Sequence, residues 1–398
     1  MMVSLADDTQ QNRRGLVLGQ GGPTYLIERR LHLEPPVRAL RLIFASSTVL
    51  WGVTVVVAGV DALLGRGTAS SSLLTMFGFH VRALLGVPLL FTAGIVLSAR
   101  VEVITSALVK NGIVAGLDVP KWDRLMERLE RWRDKTTPEA LPLVLVAAVL
   151  LVGIRELVPN QLLPWGMPLF HGGGAGATAS WAWWWYVLAI QPLFLFLILR
   201  FLWHWVLWSI ALVGFARMRL QLQASHADRA GGIGVLAAAL DGFNLAIFAL
   251  AIVLVGTWAD EIVATGVKAA RFAPQFVALV AIAVTLPFLP YLPLSIHLLR
   301  SKRLGAAAYG HVMRRYIRAF DAKYVVNHDA PVELGTADLQ SLADAGSSLT
   351  VINEMRSTVF AGGAVVRVFV LIALPVLALV AMKMPAAEIA RTLLGIVT

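Results

Sequence analysis

Seven apolar segments, at 42–64, 83–99, 140–158, 184–206, 233–257, 276–299 and 362–382, alternate with eight polar stretches along the 398 residues. A helix needs about 20 mostly apolar residues to cross roughly 30 Å of hydrocarbon. Most of the segments reach that length, while 83–99 is short and ends against Arg100 and Glu102. The cations alternate as well. Of the 34 Lys and Arg residues, 25 lie in the odd-numbered polar stretches, six in the even-numbered ones and three (Arg155, Arg200, Arg367) inside spans. Cationic loops resist translocation, so the pattern predicts a cytoplasmic N-terminus and an outside C-terminus.

The expected fold is an all-α, polytopic transmembrane helical bundle of about seven spans with a small helical cytoplasmic domain. Its expected parts are a cytoplasmic segment at 1–41, spans one and two at 42–99 and a cytoplasmic amphipathic loop at 100–139. Spans three to six follow at 140–299, then a cytoplasmic helical segment at 300–361, then span seven with a short tail at 362–398. Composition agrees: 58% of residues are hydrophobic and 15% charged, against roughly 45–50% and 25% for soluble domains. The net charge of +10 sits in loops beside the bilayer, where anionic lipid attracts it. The partners expected are therefore the lipid bilayer, a second copy of the chain and a cytoplasmic protein, with no nucleic acid. The chain has no cysteine, which excludes disulfides and thiolate chemistry. No cofactor or metal motif is present, and no short apolar core with a cleavage site precedes span one, which is expected to act as its own insertion signal.

Several loops have readable structure. In 121–135, Trp122, Leu125, Met126, Leu129 and Trp132 recur at helical spacing beside six basic and four acidic residues. That amphipathic helix either lies on the membrane or, given its acids, docks on other helices. Trp181, Trp183, Trp184, Trp185 and Tyr186 mark one end of span four, and Trp203, Trp205 and Trp208 the other, as aromatic side chains favour headgroup levels. The loop 159–181 has no charged residue and carries Gly172, Gly173 and Gly174, which reads as flexible or re-entrant. In 300–361, Met313, Tyr316, Ile317 and Phe320 form one apolar face. After a turn near Asn327 to Gly335, a second helix is expected from Thr336 as N-cap, with a stripe of Leu339, Leu342, Leu349, Ile352 and Met355.

Two stretches carry a resemblance. His226-Ala-Asp-Arg-Ala-Gly-Gly-Ile-Gly234 resembles a His-Pro-Asp-Arg-Ala-Gly-Gly-Leu-Gly pattern. Gly335-Thr-Ala-Asp-Leu-Gln-Ser-Leu-Ala-Asp-Ala-Gly346 resembles a Gly-Ser-Ala-Asp-Ile-Gln-Ser-Leu-Ala-Asp-Leu-Gly pattern. Both occur, in this order, in a family of multi-pass bacterial membrane proteins, and the likeness covers the chain from span four onward. It implies a bacterial inner-membrane protein and brings no functional residues with it. Ala227 stands where that family has proline.

Four groups of residues bear on function. Arg200 with His204, Asp241 with Asn244, and Arg367 fall at one depth, within ~8–12 Å of the cytoplasmic boundary. Ionisable groups in spans mark ion pathways, or else form structural pairs and snorkelling arginines. His226, Asp228, Arg229, Gly231 and Gly232 form either an anion site at a helix N-terminus or a helix cap. Pro287, Pro290 and Pro293 break span six, either lining a cavity or simply bending it. Asp338, Ser341, Asp344 and Ser348 share one helical face, read as solvated or as a docking face. No catalytic residue stands out. The leading expectation is a channel or transporter for ions or small solutes; the alternatives are a non-transporting scaffold or sensor subunit and an enzyme acting on lipid-linked substrates.

Overall fold

A computed structural model of the chain describes residues 15–18, 36–64, 73–135, 144–148, 181–326 and 337–381. Six helical runs among these are long and apolar enough to cross a membrane, so the chain is an integral membrane protein. The described residues contain no β-strand beyond one isolated bridge, Val114 to Leu220. The predicted third span lies outside them apart from 144–148. So do most of the N-terminal segment, the loop 159–180, the turn ending in the Thr336 cap and the tail 383–398.

The main helices among the described residues are α1 (Pro36–Leu63), α2 (Phe77–Lys110), α3 (Val119–Asp134), α4 (181–216), α5 (Gly234–Thr265), α6 (Ala273–Phe288), α7 (Leu292–Phe320), α8 (Ala337–Asn353) and α9 (Gly362–Ala381). The helix expected at 83–99 is far longer, because Arg100 and Glu102 do not end it and Arg82 does not precede it. At 1.5 Å per residue α2 is about 51 Å long and projects beyond the hydrocarbon.

The centre of the bundle is α5, which packs most extensively on α2 and α9. Glycine allows the closest approaches. A Cβ on Gly256 would lie 3.2 Å from the Gly78 Cα, and one on Gly242 would lie 2.7 Å from the Leu97 Cβ. Small residues let membrane helices approach closely where hydrophobicity alone gives no drive to associate.

The amphipathic helix α3 docks on the bundle: Trp122 and Leu129 are buried, and Trp122 meets Phe215 edge-on at 6.0 Å. Residues 15–18 tuck beside it, where Arg133 Nη1 donates to the Val17 carbonyl at 2.7 Å and Leu16 N to Thr105 Oγ1 at 2.8 Å. The helix α8 packs on the extended end of α7. There Ile352 and Met355 are buried, whereas Asp344 and Ser341 are exposed.

Two local irregularities have a sequence cause. Helices α2 and α4 each contain a π-helical turn, at Arg82–Gly86 and Tyr186–Ile190. Each is followed two residues later by proline, Pro88 and Pro192. A proline has no N–H and its ring collides with the carbonyl four residues back, and a widened turn relieves that collision. The Ser47 hydroxyl donates to the Ala83 carbonyl within the first of these turns.

Candidate functional site

Two clusters of polar side chains lie within the spans, at different levels. Asp241 and Asp260 mark them on α5, nineteen residues apart, or about 28 Å, close to the thickness of the hydrocarbon.

At the Asp241 end, three spans contribute one ion cluster. Asp241 in the first α-helical turn of α5 lies 3.1 Å from Arg100 of α2 and 3.7 Å from Arg367 of α9. The structure thus brings together two of the charges expected to meet and adds Arg100, which in sequence reads as a loop residue at the end of an apolar run. The cluster is open: the side chains of Arg100, Asp241 and Arg367 are 53%, 37% and 62% exposed. Asn244 is half-buried one turn along α5. Arg200 stands apart, with its guanidinium carbon 6.0 Å from the centre of the Phe91 ring. With His204 it lines a small cavity of about 50 Å³ between α2 and α4. His204 is buried, and its Nδ1 has no hydrogen-bond partner among the described residues.

The Asp260 end is built differently. Its carboxylate reaches from α5 to the N-terminus of α2, accepting from Phe77 N at 2.6 Å and Gly78 N at 2.8 Å. Asp61 of α1 does the same for α4, accepting from Ala182 N at 2.9 Å. Orphan N–H groups and the positive helix terminus both favour a carboxylate there. Between the two caps, Arg82 Nη1 donates to Tyr186 Oη and, at 2.7 Å, to Gln191 Oε1. Arg82 is 4%, Asp61 2% and Gln191 1% exposed; within this closed cluster only Arg82 Nε lacks an acceptor among the described residues. His80 accepts from Trp51 Nε1 at Nδ1 and donates from Nε2 to the Leu74 carbonyl, both at 2.8 Å, which fixes its tautomer. In sequence Arg82 reads as a loop residue because it precedes the apolar run. Pro88 and Pro192, each six residues after a polar side chain that opens a π turn, were the available signal.

The three prolines of the broken span take different roles. Pro287 lies inside α6, Pro290 in the 3₁₀ turn Leu289–Tyr291, and Pro293 in the first turn of α7. The missing N–H of Pro290 frees the Leu286 carbonyl, and the indole of Trp205 donates to it at 2.9 Å. Beside the break, Trp208 Nε1 donates to Tyr291 Oη at 3.2 Å, which donates to the Leu236 carbonyl at 3.0 Å.

The loop before α5 is a self-filled nest. Asp228 Oδ1 accepts from Ala230 N at 2.8 Å and Gly232 N at 3.1 Å, and Oδ2 from Gly234 N at 2.9 Å. His226 Nδ1 is 2.8 Å from Oδ1. Burial pushes the Asp228 carboxyl up, but those three N–H groups and His226 together hold it below the usual carboxylate value. The chain's own carboxylate therefore occupies the donors that an outside anion would use. Arg229, Gly231 and Gly232 have positive φ of 53°, 65° and 93°. The strained Arg229 backbone is held on both sides: its carbonyl accepts from Arg356 N at 2.7 Å, and its N–H donates to the His226 carbonyl at 3.0 Å. The Arg229 guanidinium pairs with Glu354 at 2.9 Å on the surface.

No group of His, Asp and Glu suited to a metal ion occurs among the described residues. Comparison of the chain with protein-family models, curated proteins and solved structures finds no match.

Proposed function

We propose that this integral membrane protein transports an ion or small charged solute, and that Arg100, Asp241 and Arg367 form the charged mouth of its pathway. The supporting observation is the open cluster itself. Three ionisable groups on three spans, each more than a third exposed, are costly against hydrocarbon. Water reaching that level removes the cost, and this reading requires it. Arginines flanking a carboxylate suit an anion that displaces Asp241.

The same reading takes the basic ends of α2, α4 and α7 as cytoplasmic, following the Lys and Arg asymmetry. It takes the membrane as a bacterial inner membrane, following the resemblance of the Asp228 loop and of the α8 segment to that multi-pass family. The test is flux in liposomes across several ion gradients and pH values, wild type beside Asp241→Asn at equal insertion. Flux altered by the substitution supports the pathway, and absence of flux under every gradient removes it.

A non-transporting scaffold is the second reading. It is favoured by the docked α3 and the α7–α8 pair, which build a platform beyond the spans. On that reading Asp241→Asn leaves no transport phenotype, and substitutions at Asp344 remove a bound protein.

A further inference from the structure

We infer that the groove between residues 218–225 and the 297–309 part of α7 binds the headgroup of an anionic phospholipid. The groove is open to the surface and has a volume of about 960 Å³, within the range of pre-formed small-molecule sites. Its cations are Arg219 and Arg300, and Gln223, Ser225, Ser301 and Tyr309 add neutral hydrogen-bonding groups, with no Asp or Glu in the lining. Both arginines are exposed, and neither guanidinium is held in a hydrogen bond or ion pair among the described residues. Asp118, the acid that accepts from the Arg219 backbone N–H at 2.8 Å, is itself paired with Lys121 at 2.7 Å. The two arginine forks are therefore left free for a phosphate.

The walls are pinned before any ligand arrives. At one end His297 Nε2 donates to the Ala216 carbonyl at 2.7 Å, closing the C-terminus of α4 against α7. At the other, Ser225 Oγ lies 3.3 Å from Tyr309 Oη. The outer wall of the groove is held by Ala115 N donating to Arg219 O at 3.0 Å and Gln221 N to Ile113 O at 2.8 Å. Between these pins Ala224 closes on Gly305, where a Cβ would sit 2.3 Å away. The lining that remains is apolar, and Leu304 is 62% exposed at its rim.

The level of the groove selects a lipid over a soluble phosphate. Between Arg271 and Arg300 the chain has no Asp, Glu, Lys or Arg. That run of 29 steps spans about 43 Å as helix, which matches the roughly 40–45 Å of a bilayer with its headgroup layers. Arg300 thus enters at phosphate level, with Leu304 beside it to take the start of an acyl chain. The inference rests on this groove alone and is independent of the Asp241 pathway.

The test is native mass spectrometry of the full chain released from detergent, titrated with phosphatidylglycerol or phosphatidylcholine. The variants are Arg219→Gln with Arg300→Gln, and as a charge-matched control Arg314→Gln with Arg315→Gln. Wild type and control are expected to prefer phosphatidylglycerol, and the groove variant to lose roughly 30-fold of that preference. Size exclusion checks that each variant folds, and the exposed positions make folding failure a small risk. Equal lipid retention by the groove variant overturns the inference, as does equal loss in the control. Displacement of the lipid by millimolar inorganic phosphate overturns the lipid assignment and makes a soluble phosphate the occupant.

Discussion

The two ends of α5 hold the same ingredients and use them in opposite ways. At the Asp260 end, Asp61, an arginine, a tyrosine and a glutamine are shut inside the bundle with Asp260 half-buried at their edge, and these groups spend their hydrogen bonds on one another and on helix termini. At the Asp241 end, a carboxylate and two arginines on three spans stay more than a third exposed. A buried polar cluster is costly to break because each survivor loses its partner in a medium without water. A half-open ion pair contributes little to stability and remains able to exchange partners. The closed end therefore fixes the arrangement of α1, α2, α4 and α5, and the open end is free to act.

Substitutions at the closed end should cost most. Arg82→Ala strands Tyr186 and Gln191 and leaves a cavity, and should lower unfolding stability in detergent by about 3–5 kcal/mol, measured by thermal or denaturant unfolding followed by tryptophan fluorescence. A loss below about 1 kcal/mol would erase the contrast between the ends. Asp260→Asn keeps the shape but removes the charge that caps α2, and should cost about 1–3 kcal/mol in the same assay.

The Asp228 nest sharpens the comparison because it lies outside the spans and can be titrated. Its carboxyl is depressed in the folded chain, so its stabilisation is present in full above the ordinary carboxylate value of about 3.9. That stabilisation is lost as pH falls through the depressed native value. Asp228→Asn should cost about 1–3 kcal/mol at pH 7. The gap to wild type should close in acid, as unfolding curves taken at successive pH values would show. Smallest of all, Arg100→Gln should change stability by about 1 kcal/mol or less, while altering the anion dependence of any flux.

Much of this architecture was legible in the sequence. The apolar runs located the spans found in the described residues, and the spacing of Trp122 to Trp132 gave α3 with its buried face. Asp241 and Arg367 were recognisable because each interrupts an apolar run. Arg100 and Arg82 were not, since each sits at the margin of such a run, where a charge reads as the start of a loop. Only the packing of α2 against α5 shows that one long helix carries both, eighteen residues apart. The helix caps escaped for a similar reason. Asp61 and Asp260 cap helices far away in sequence, and N-cap rules look only a few residues ahead. The proline break was plain, but the donor that rescues the Leu286 carbonyl, Trp205, lies 81 residues away and reads in sequence as a membrane-interface aromatic.

The most direct measurement pairs flux with unfolding for Asp241→Asn and Asp260→Asn in parallel. The account predicts altered flux with nearly unchanged stability for Asp241→Asn, and a clear loss of stability for Asp260→Asn. Asp241→Asn destabilising the chain as much as Asp260→Asn, with flux unaffected, would contradict it and make both ends structural.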